Sequence, residues 1–101
     1  MTRPHALQIL ENLKQAEQAN PGGDMSEAYM EAYHRAGGVQ KAETDPTRAR
    51  QWASACTWLR MTANIHEEIS GKRTPIGRNP GEILAEFEAE CRHLLEGLAK
   101  Q

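Results

Sequence analysis

The chain has 101 residues, of which 39% are hydrophobic and 26% are charged, and its formal net charge is −2. A chain of this length can bury one modest core, so we expect a single domain over residues 1–101. No run approaches the ~18 apolar residues that a membrane-spanning helix needs. The N-terminal residues lack the apolar segment of a secretory signal, so we expect a cytoplasmic protein with no membrane partner.

The net charge neither favours nor excludes a polyanionic partner, but its distribution is uneven. Residues 35–78 carry eight basic and four acidic side chains, whereas each flanking segment has a net charge of −3. A basic middle between acidic ends is therefore a feature that any proposed function has to use or explain.

Apolar spacing predicts two helices in the first part of the chain. The first covers residues 4–19, where apolar residues recur every three or four positions, and Asn20-Pro21-Gly22-Gly23 ends it. The second starts at Asp24, because Asp24 and Glu27 have the spacing of a capping box. Gly37-Gly38 is predicted to end this helix, which leaves residues 39–44 as a connector.

The longest predicted helix covers residues 46–70. Asp45-Pro46 combines an N-cap residue with proline at the first helical position, and Gly71 suits the left-handed residue after the helix. Its inward side repeats at intervals of three and four residues and comprises Ala49, Trp52, Cys56, Leu59, Ala63 and His66. At about 1.5 Å per residue this helix is a rod of roughly 37 Å.

A loop and one more helix complete the predicted fold. Residues 71–79 contain two helix breakers and three basic residues, and we expect Ile76 to attach this loop to the core. Asn79-Pro80 starts the last helix, which covers residues 80–98 and is expected to fray from Gly97. The fold class is therefore all-α, a small four-helix bundle in which helix 46–70 pairs antiparallel with helix 80–98.

The two cysteines, Cys56 and Cys91, both fall on predicted apolar faces. Buried reduced thiols that act as small hydrophobic side chains are the favoured interpretation. A disulfide that joins two helices is the alternative.

The sequence predicts neither an enzyme nor a metal or cofactor site. The pairs Glu31/His34 and Glu90/His93 have the Glu-x-x-His spacing of di-iron bundles, but helical periodicity directs them outward. His66 lies on the inward side of the long helix near its C-terminus, so we expect a partly buried histidine with its hydrogen bonds satisfied. No nucleophile has a neighbouring base in the sequence.

A non-enzymatic protein-binding module is the function that the composition favours. Arginine outnumbers lysine eight to four, and Trp, Tyr and Arg are the residues that most often anchor interfaces. The candidate partner-binding residues are Trp58, Tyr29, Tyr33, Arg48, Arg50, Arg60, Lys72, Arg73 and Arg78.

In size and style this short arginine-rich helical chain resembles small proteins that phages and mobile elements encode, including anti-CRISPR proteins. The resemblance implies an inhibitor that blocks a host defence complex sterically. Its acidic edges would compete for basic channels of a partner that itself binds nucleic acid.

Two alternatives come from other functional classes. In the first, Lys72, Arg73 and Arg78 at the start of the last helix bind a phosphate backbone directly, and the basic region 35–78 extends this surface. In the second, the chain is a homo-oligomeric structural protein, and a homodimer would bury Trp58.

Overall fold

The computed structural model describes residues 2–101, and within this range it contains helices and no strand. The four helices are α1 (Thr2–Ala19), α2 (Ser26–Ala42), α3 (Pro46–Ile69) and α4 (Pro80–Ala99). Each packs against two others, so that they form a ring in the order α1, α2, α3, α4. The predicted all-α four-helix bundle is confirmed.

The long helix α3 is unbroken, as predicted, and its ends follow from the sequence. The Asp45 carboxylate accepts the Arg48 amide at 2.9 Å, and Pro46 occupies the first turn. At the other end Gly71 has φ +83°, and the Lys72 amide bonds to the Glu67 carbonyl at 2.8 Å. That bond is the 6→1 contact of a Schellman motif, which satisfies a carbonyl that the helix leaves free.

The α3–α4 pairing is antiparallel, also as predicted. Gln51 near the start of α3 contacts Gln101 just after α4, whereas Thr62 further along contacts Cys91. Between the helices lies a core built mostly of alanine and medium-sized aliphatic side chains. Its largest fully buried member is Trp52, which has no exposed surface.

The prediction that Gly37-Gly38 ends the second helix is wrong, because α2 continues to Ala42. Neither glycine has a positive φ, and Val39 beyond them packs against the core. Burial of that residue outweighs the roughly 1 kcal/mol that each glycine costs a helix. The predicted connector at residues 39–44 is therefore mostly helical.

The predicted capping box at the start of this helix is also wrong. The N-cap position is Met25 rather than Asp24, and no side chain bonds to the helix from that position. Asp24 lies one residue earlier, where its Oδ1 accepts the Ser26 amide at 2.9 Å. Asp24 still accepts one of the free amides of the first turn, but it does so from the position before the N-cap residue.

Ile76 does not attach the α3–α4 loop to the core, contrary to expectation, since its side chain is 86% exposed. Ion pairs hold the loop instead. Lys72 Nζ lies 2.7 Å from Asp24 Oδ2, and Arg73 Nη2 lies 3.5 Å from Glu67 Oε1. At the other end of α4 the helix continues through Gly97 to Ala99, because buried Leu98 holds its last turn.

Replacing Gly37 or Gly38 by alanine should stabilise the protein. A Cβ at either position meets no atom within 4 Å, so each substitution should raise the free energy of unfolding by about 0.5–1 kcal/mol. Gly71→Ala is the matched control and should destabilise, because an L residue is strained at its φ of +83°. Urea denaturation measures all three, and a loss of stability at 37 and 38 would mean that α2 does not run through these glycines.

The two tryptophans should differ in their contribution to stability. Trp52→Ala should lower the free energy of unfolding by about 3–5 kcal/mol, because it leaves a cavity in the core. Trp58 is only partly buried, so Trp58→Ala should cost about 1–2 kcal/mol. Equal losses in chemical denaturation would contradict the placement of Trp52 in the core and Trp58 at its edge.

Candidate partner-binding site

His66 lies at the centre of a polar cluster that joins three helices. Its ring is 5% exposed. Nδ1 accepts the Met25 amide of α2 at 3.3 Å, and Nε2 lies 3.0 Å from Glu88 Oε2 of α4. The Tyr29 ring stacks on the imidazole with centroids 5.5 Å apart, and its hydroxyl lies 3.5 Å from the same Glu88 oxygen. The prediction of a histidine with its hydrogen bonds satisfied is confirmed, but His66 is buried rather than partly buried.

These contacts fix the chemistry of the cluster. Because Nδ1 accepts a backbone amide, the neutral imidazole carries its proton on Nε2 and donates it to Glu88. Both nitrogens are engaged, so neither is free to accept a proton from a substrate. Burial, together with the Glu88 carboxylate, raises the pKa of Tyr29 far above its usual value, which keeps the hydroxyl protonated as a donor.

The cysteines agree with the favoured interpretation of reduced thiols. Cys56 and Cys91 are both buried and are not joined by a disulfide. Burial raises the pKa of Cys91 to about 11 and also raises that of Cys56. A protonated thiol is a poor nucleophile, so these side chains act here as small hydrophobic groups.

Tyr29 is not available as a partner-binding residue. The sequence favoured it as an interface aromatic, but its side chain is 3% exposed. It lies on the inward side of α2, where the imidazole and the Glu88 carboxylate occupy both its face and its hydroxyl. The sequence could place Tyr29 on the inner face of α2 but could not show that a polar cluster there would engage its hydroxyl.

Tyr33 and Arg60 come together across the α2–α3 contact. The Arg60 guanidinium carbon lies 5.5 Å from the centroid of the partly buried Tyr33 ring. The His34 ring lies 5.2 Å from the same centroid. A cation over an aromatic face is a favourable pair, so part of the binding capacity of both residues is already used within the chain.

Three of the candidate cations form ion pairs. Besides the Lys72–Asp24 and Arg73–Glu67 pairs, Arg48 Nε lies 3.5 Å from Glu43 Oε2. The Lys72 ammonium holds the pKa of Asp24 well below its usual value. Arg50 and Arg78 are exposed and have no carboxylate within 4 Å among residues 2–101.

The basic region 35–78 does not form one continuous patch. Arg48 and Arg50 lie near the start of α3, whereas Lys72, Arg73 and Arg78 lie beyond its end, which at 1.5 Å per residue is roughly 30 Å away. Exposed charges separated by more than about 10 Å are largely screened at physiological ionic strength. The region therefore acts as separate positive spots rather than as one field.

Trp58 lies at the edge of the core, where α3 and α4 meet. It is partly exposed and contacts the partly exposed Phe87 ring edge-on, with centroids 5.0 Å apart and planes at 73°. We call these two residues the aromatic pair. The sequence assigned Phe87 only to the inward face of α4. The register shown by the Gln51–Gln101 and Thr62–Cys91 contacts sets Leu94 or Leu95 level with Trp58, so antiparallel pairing alone would not have predicted the contact with Phe87.

The edge of α4 beside this pair is acidic. Glu82, Glu86 and Glu90 recur every four residues and therefore lie on one side of the helix. Glu82 and Glu86 are exposed and Glu90 is partly exposed. In the described part of the chain no basic side chain lies within 4 Å of their carboxylates. We call these three residues the acidic edge.

A second polar cluster lies at the opposite end of the bundle. The Trp52 indole N–H donates to Thr2 Oγ1 at 3.3 Å, and that hydroxyl donates to Glu43 Oε2 at 3.0 Å. Glu43 Oε1 accepts the Asp45 amide at 3.0 Å. The Asp45 amide and the Thr2 hydroxyl lower the pKa of Glu43, so the carboxylate is ionised at neutral pH. No local pattern predicts this cluster, because Thr2 lies 41 residues from Glu43 and 50 residues from Trp52.

Within residues 2–101 the structure shows neither a metal-binding group of side chains nor a membrane-spanning helix. No group of three or more His, Cys, Asp or Glu side chains is arranged to hold a metal ion. Glu31, His34 and His93 are exposed and Glu90 is partly exposed, as their helical positions predicted. No helix in this range is long and apolar enough to cross a bilayer.

The Asp24–Lys72 ion pair should make stability depend on pH in a defined direction, and its loss should remove that dependence. The lowered pKa of Asp24 contributes stability above its unfolded pKa of 3.8, and this contribution disappears as pH falls through the folded value. Asp24→Asn should therefore cost about 0.5–1 kcal/mol at pH 7, with a smaller difference from the native chain below pH ~3. Urea denaturation across pH checks this, and a difference that grows on acidification would contradict it.

Comparison with known proteins gives no match. No protein-family model matches the chain, and neither a curated protein nor a solved structure is significantly similar to it. Inference about its function therefore starts from the side chains described above.

Proposed function

We propose that the chain is a non-enzymatic protein-binding module whose contact surface is the aromatic pair, Trp58 and Phe87, with the acidic edge of α4. The observation that carries this proposal is the edge-to-face contact of two partly exposed aromatic rings where α3 and α4 meet. Aromatic rings at the centre of a contact surface supply a large share of binding energy in protein interfaces.

The rings are held in place before any partner binds. Each belongs to a different helix, and the edge-on contact fixes one ring against the other at 5.0 Å. Thr62 and Cys91, each four residues after one of the two rings, also contact each other, with Oγ1 3.2 Å from Sγ. A pre-organised surface loses little side-chain entropy on binding, so more of the contact energy appears as affinity.

Charge indicates the chemistry of the partner. The acidic edge is complementary to a protein surface lined by lysine and arginine, and charge complementarity both speeds encounter and selects partners. A groove that binds nucleic acid has such a surface. We therefore infer that the chain occupies a basic nucleic-acid channel of another protein complex and blocks it sterically.

The resemblance in size and style to anti-CRISPR proteins suggests which class of partner the chain binds. It suggests a phage- or mobile-element-encoded inhibitor and a host defence complex as its target. The His66 cluster supports a role without catalysis, because the imidazole, the Tyr29 hydroxyl and the Glu88 carboxylate bond to one another.

Protein binding is preferred to direct nucleic-acid binding because of the basic residues. Lys72, Arg73 and Arg48 each form an ion pair. A phosphate backbone would have to compete with Asp24, Glu67 and Glu43 for them. Self-association through Trp58 is the third alternative and is an outcome of the experiment below.

The test uses the immobilised chain to capture complexes from lysates of CRISPR-bearing bacteria, after which a captured complex is purified and its affinity measured. We expect a nucleic-acid-binding complex that DNA displaces. Trp58→Ala should weaken its binding at least tenfold, and Glu86→Lys with Glu90→Lys at least about thirtyfold, since each lost charge contact removes about 1–3 kcal/mol.

The matched control is Glu27→Lys with Glu31→Lys. These glutamates are exposed at the same i, i+4 spacing on α2, which lies across the ring from α4. Equal loss of binding in the control and in the α4 variant would contradict the proposed surface. A chain that captures nothing and behaves as a Trp58-dependent dimer in light scattering would instead support self-association.

A further inference from the structure

We infer that the cavity at the α1–α2–α3 end of the bundle is a binding site for a phosphomonoester. The cavity has a volume of about 610 Å³ and lies between the first turn of α1, the last turns of α2 and the start of α3. We call it the end pocket. Its volume lies within the ~300–1,000 Å³ that small-molecule sites occupy.

Side chains from three helices line the end pocket, and two of these helices contribute an arginine. His5 of α1, Arg35 of α2 and Arg48 of α3 all line it. Arg35 has no carboxylate within 4 Å among residues 2–101. Guanidinium groups bind phosphate oxygens in a fixed, bidentate geometry, so two of them on one cavity favour a phosphate over a halide.

Glu43, the one acidic residue among the described residues that line the pocket, is already satisfied. Its side chain is 9% exposed, and its two oxygens accept the Thr2 hydroxyl and the Asp45 amide. Arg48 Nε lies 3.5 Å from Glu43 Oε2, so a ligand phosphate shares this guanidinium with the carboxylate. Arg35 forms no ion pair among residues 2–101 and is the free cation of the pocket.

The backbone adds to this charge. Thr2 and His5 belong to the first turn of α1, which contains no acidic side chain. The partial positive charge of that helix end is therefore not compensated within its own turn. The partial positive charge of the helix end adds to the attraction that the arginines exert on a phosphate, but it would not bind a phosphate alone.

The other walls of the pocket suit an organic phosphate. Val39 and Ala42 supply apolar surface, and Thr44 supplies a hydroxyl. A phosphomonoester reaches such a site either as a small phosphorylated molecule or as the 5′-terminal phosphate of a nucleic acid. Both present the same dianion to Arg35 and Arg48, and the experiment separates them.

The experiment titrates the full chain with inorganic phosphate, AMP, adenosine, and a short single-stranded DNA with and without a 5′-phosphate, followed by amide NMR shifts. We expect AMP to bind with a Kd below about 1 mM and adenosine not to bind. AMP should shift amides around Arg35, Gly38 and Arg48. A 5′-phosphorylated DNA that binds more tightly than both AMP and the unphosphorylated DNA would identify a nucleic acid as the source of the phosphate. Equal binding of the two DNAs would identify a small molecule.

Arg35→Gln should weaken AMP binding about tenfold, the effect of losing one charged hydrogen bond. Arg50→Gln is the matched control, an exposed arginine of α3 that does not line the pocket, and should leave the affinity unchanged. Arg48→Gln should weaken binding as well; if it unfolds, Arg35→Gln still decides. No binding of AMP or phosphate at about 10 mM, or equal affinities of the Arg35 and Arg50 variants, would overturn the inference without affecting the proposed α3–α4 surface.

Discussion

The hydrogen bonds of the His66 imidazole are the contact on which the rest of the structure depends. One nitrogen accepts the Met25 amide at the start of α2, and the other donates to Glu88 of α4, so a single α3 side chain fixes two neighbouring helices. A buried polar group of this kind stabilises a fold only when its partners are in place, because each unpaired group costs about 1–3 kcal/mol. The cluster therefore selects one arrangement of α2, α3 and α4 over alternatives with similar apolar packing.

The opposite end of the bundle is fixed in a similar way. Trp52 is buried in the core, and its indole N–H donates a hydrogen bond to the Thr2 hydroxyl. That hydroxyl donates in turn to Glu43, which lies just before the start of α3. The two polar clusters thus hold the ends of α3, and the apolar core lies between them. Trp58 belongs to neither cluster and its ring is partly exposed, so it is the tryptophan that we propose for contact with another molecule.

Local signals in the sequence predicted the fold wherever the decisive interactions were local. Asp45-Pro46 and Gly71 set the ends of α3 because caps act within one turn of the chain. Gly37-Gly38 misled because the packing of Val39 outweighs their low helix propensity. Ile76 misled because nothing in its own segment shows that ion pairs, rather than apolar contacts, hold the loop.

The candidate surface was harder to predict, since it depends on which side chains meet across helices. Helical periodicity placed Trp52 and Trp58 on neighbouring rows of α3 but could not show which of them the other helices cover. Nor could it show that Lys72 pairs with Asp24, 48 residues earlier. For the same reason Tyr29 was grouped with interface residues, although its hydroxyl belongs to the His66 cluster.

His66 is a structural group, because both of its ring nitrogens are engaged in hydrogen bonds. The arrangement of the helices depends on these bonds, and so does our proposal that His66 is not a catalytic base. Nitrogen-15 NMR of the imidazole at pH 7 tests these bonds directly. The hydrogen bonds predict the Nε2–H tautomer, in which Nδ1 accepts the Met25 amide and shows coupling to it. A ring protonated on Nδ1, or one exchanging freely between tautomers, would contradict it.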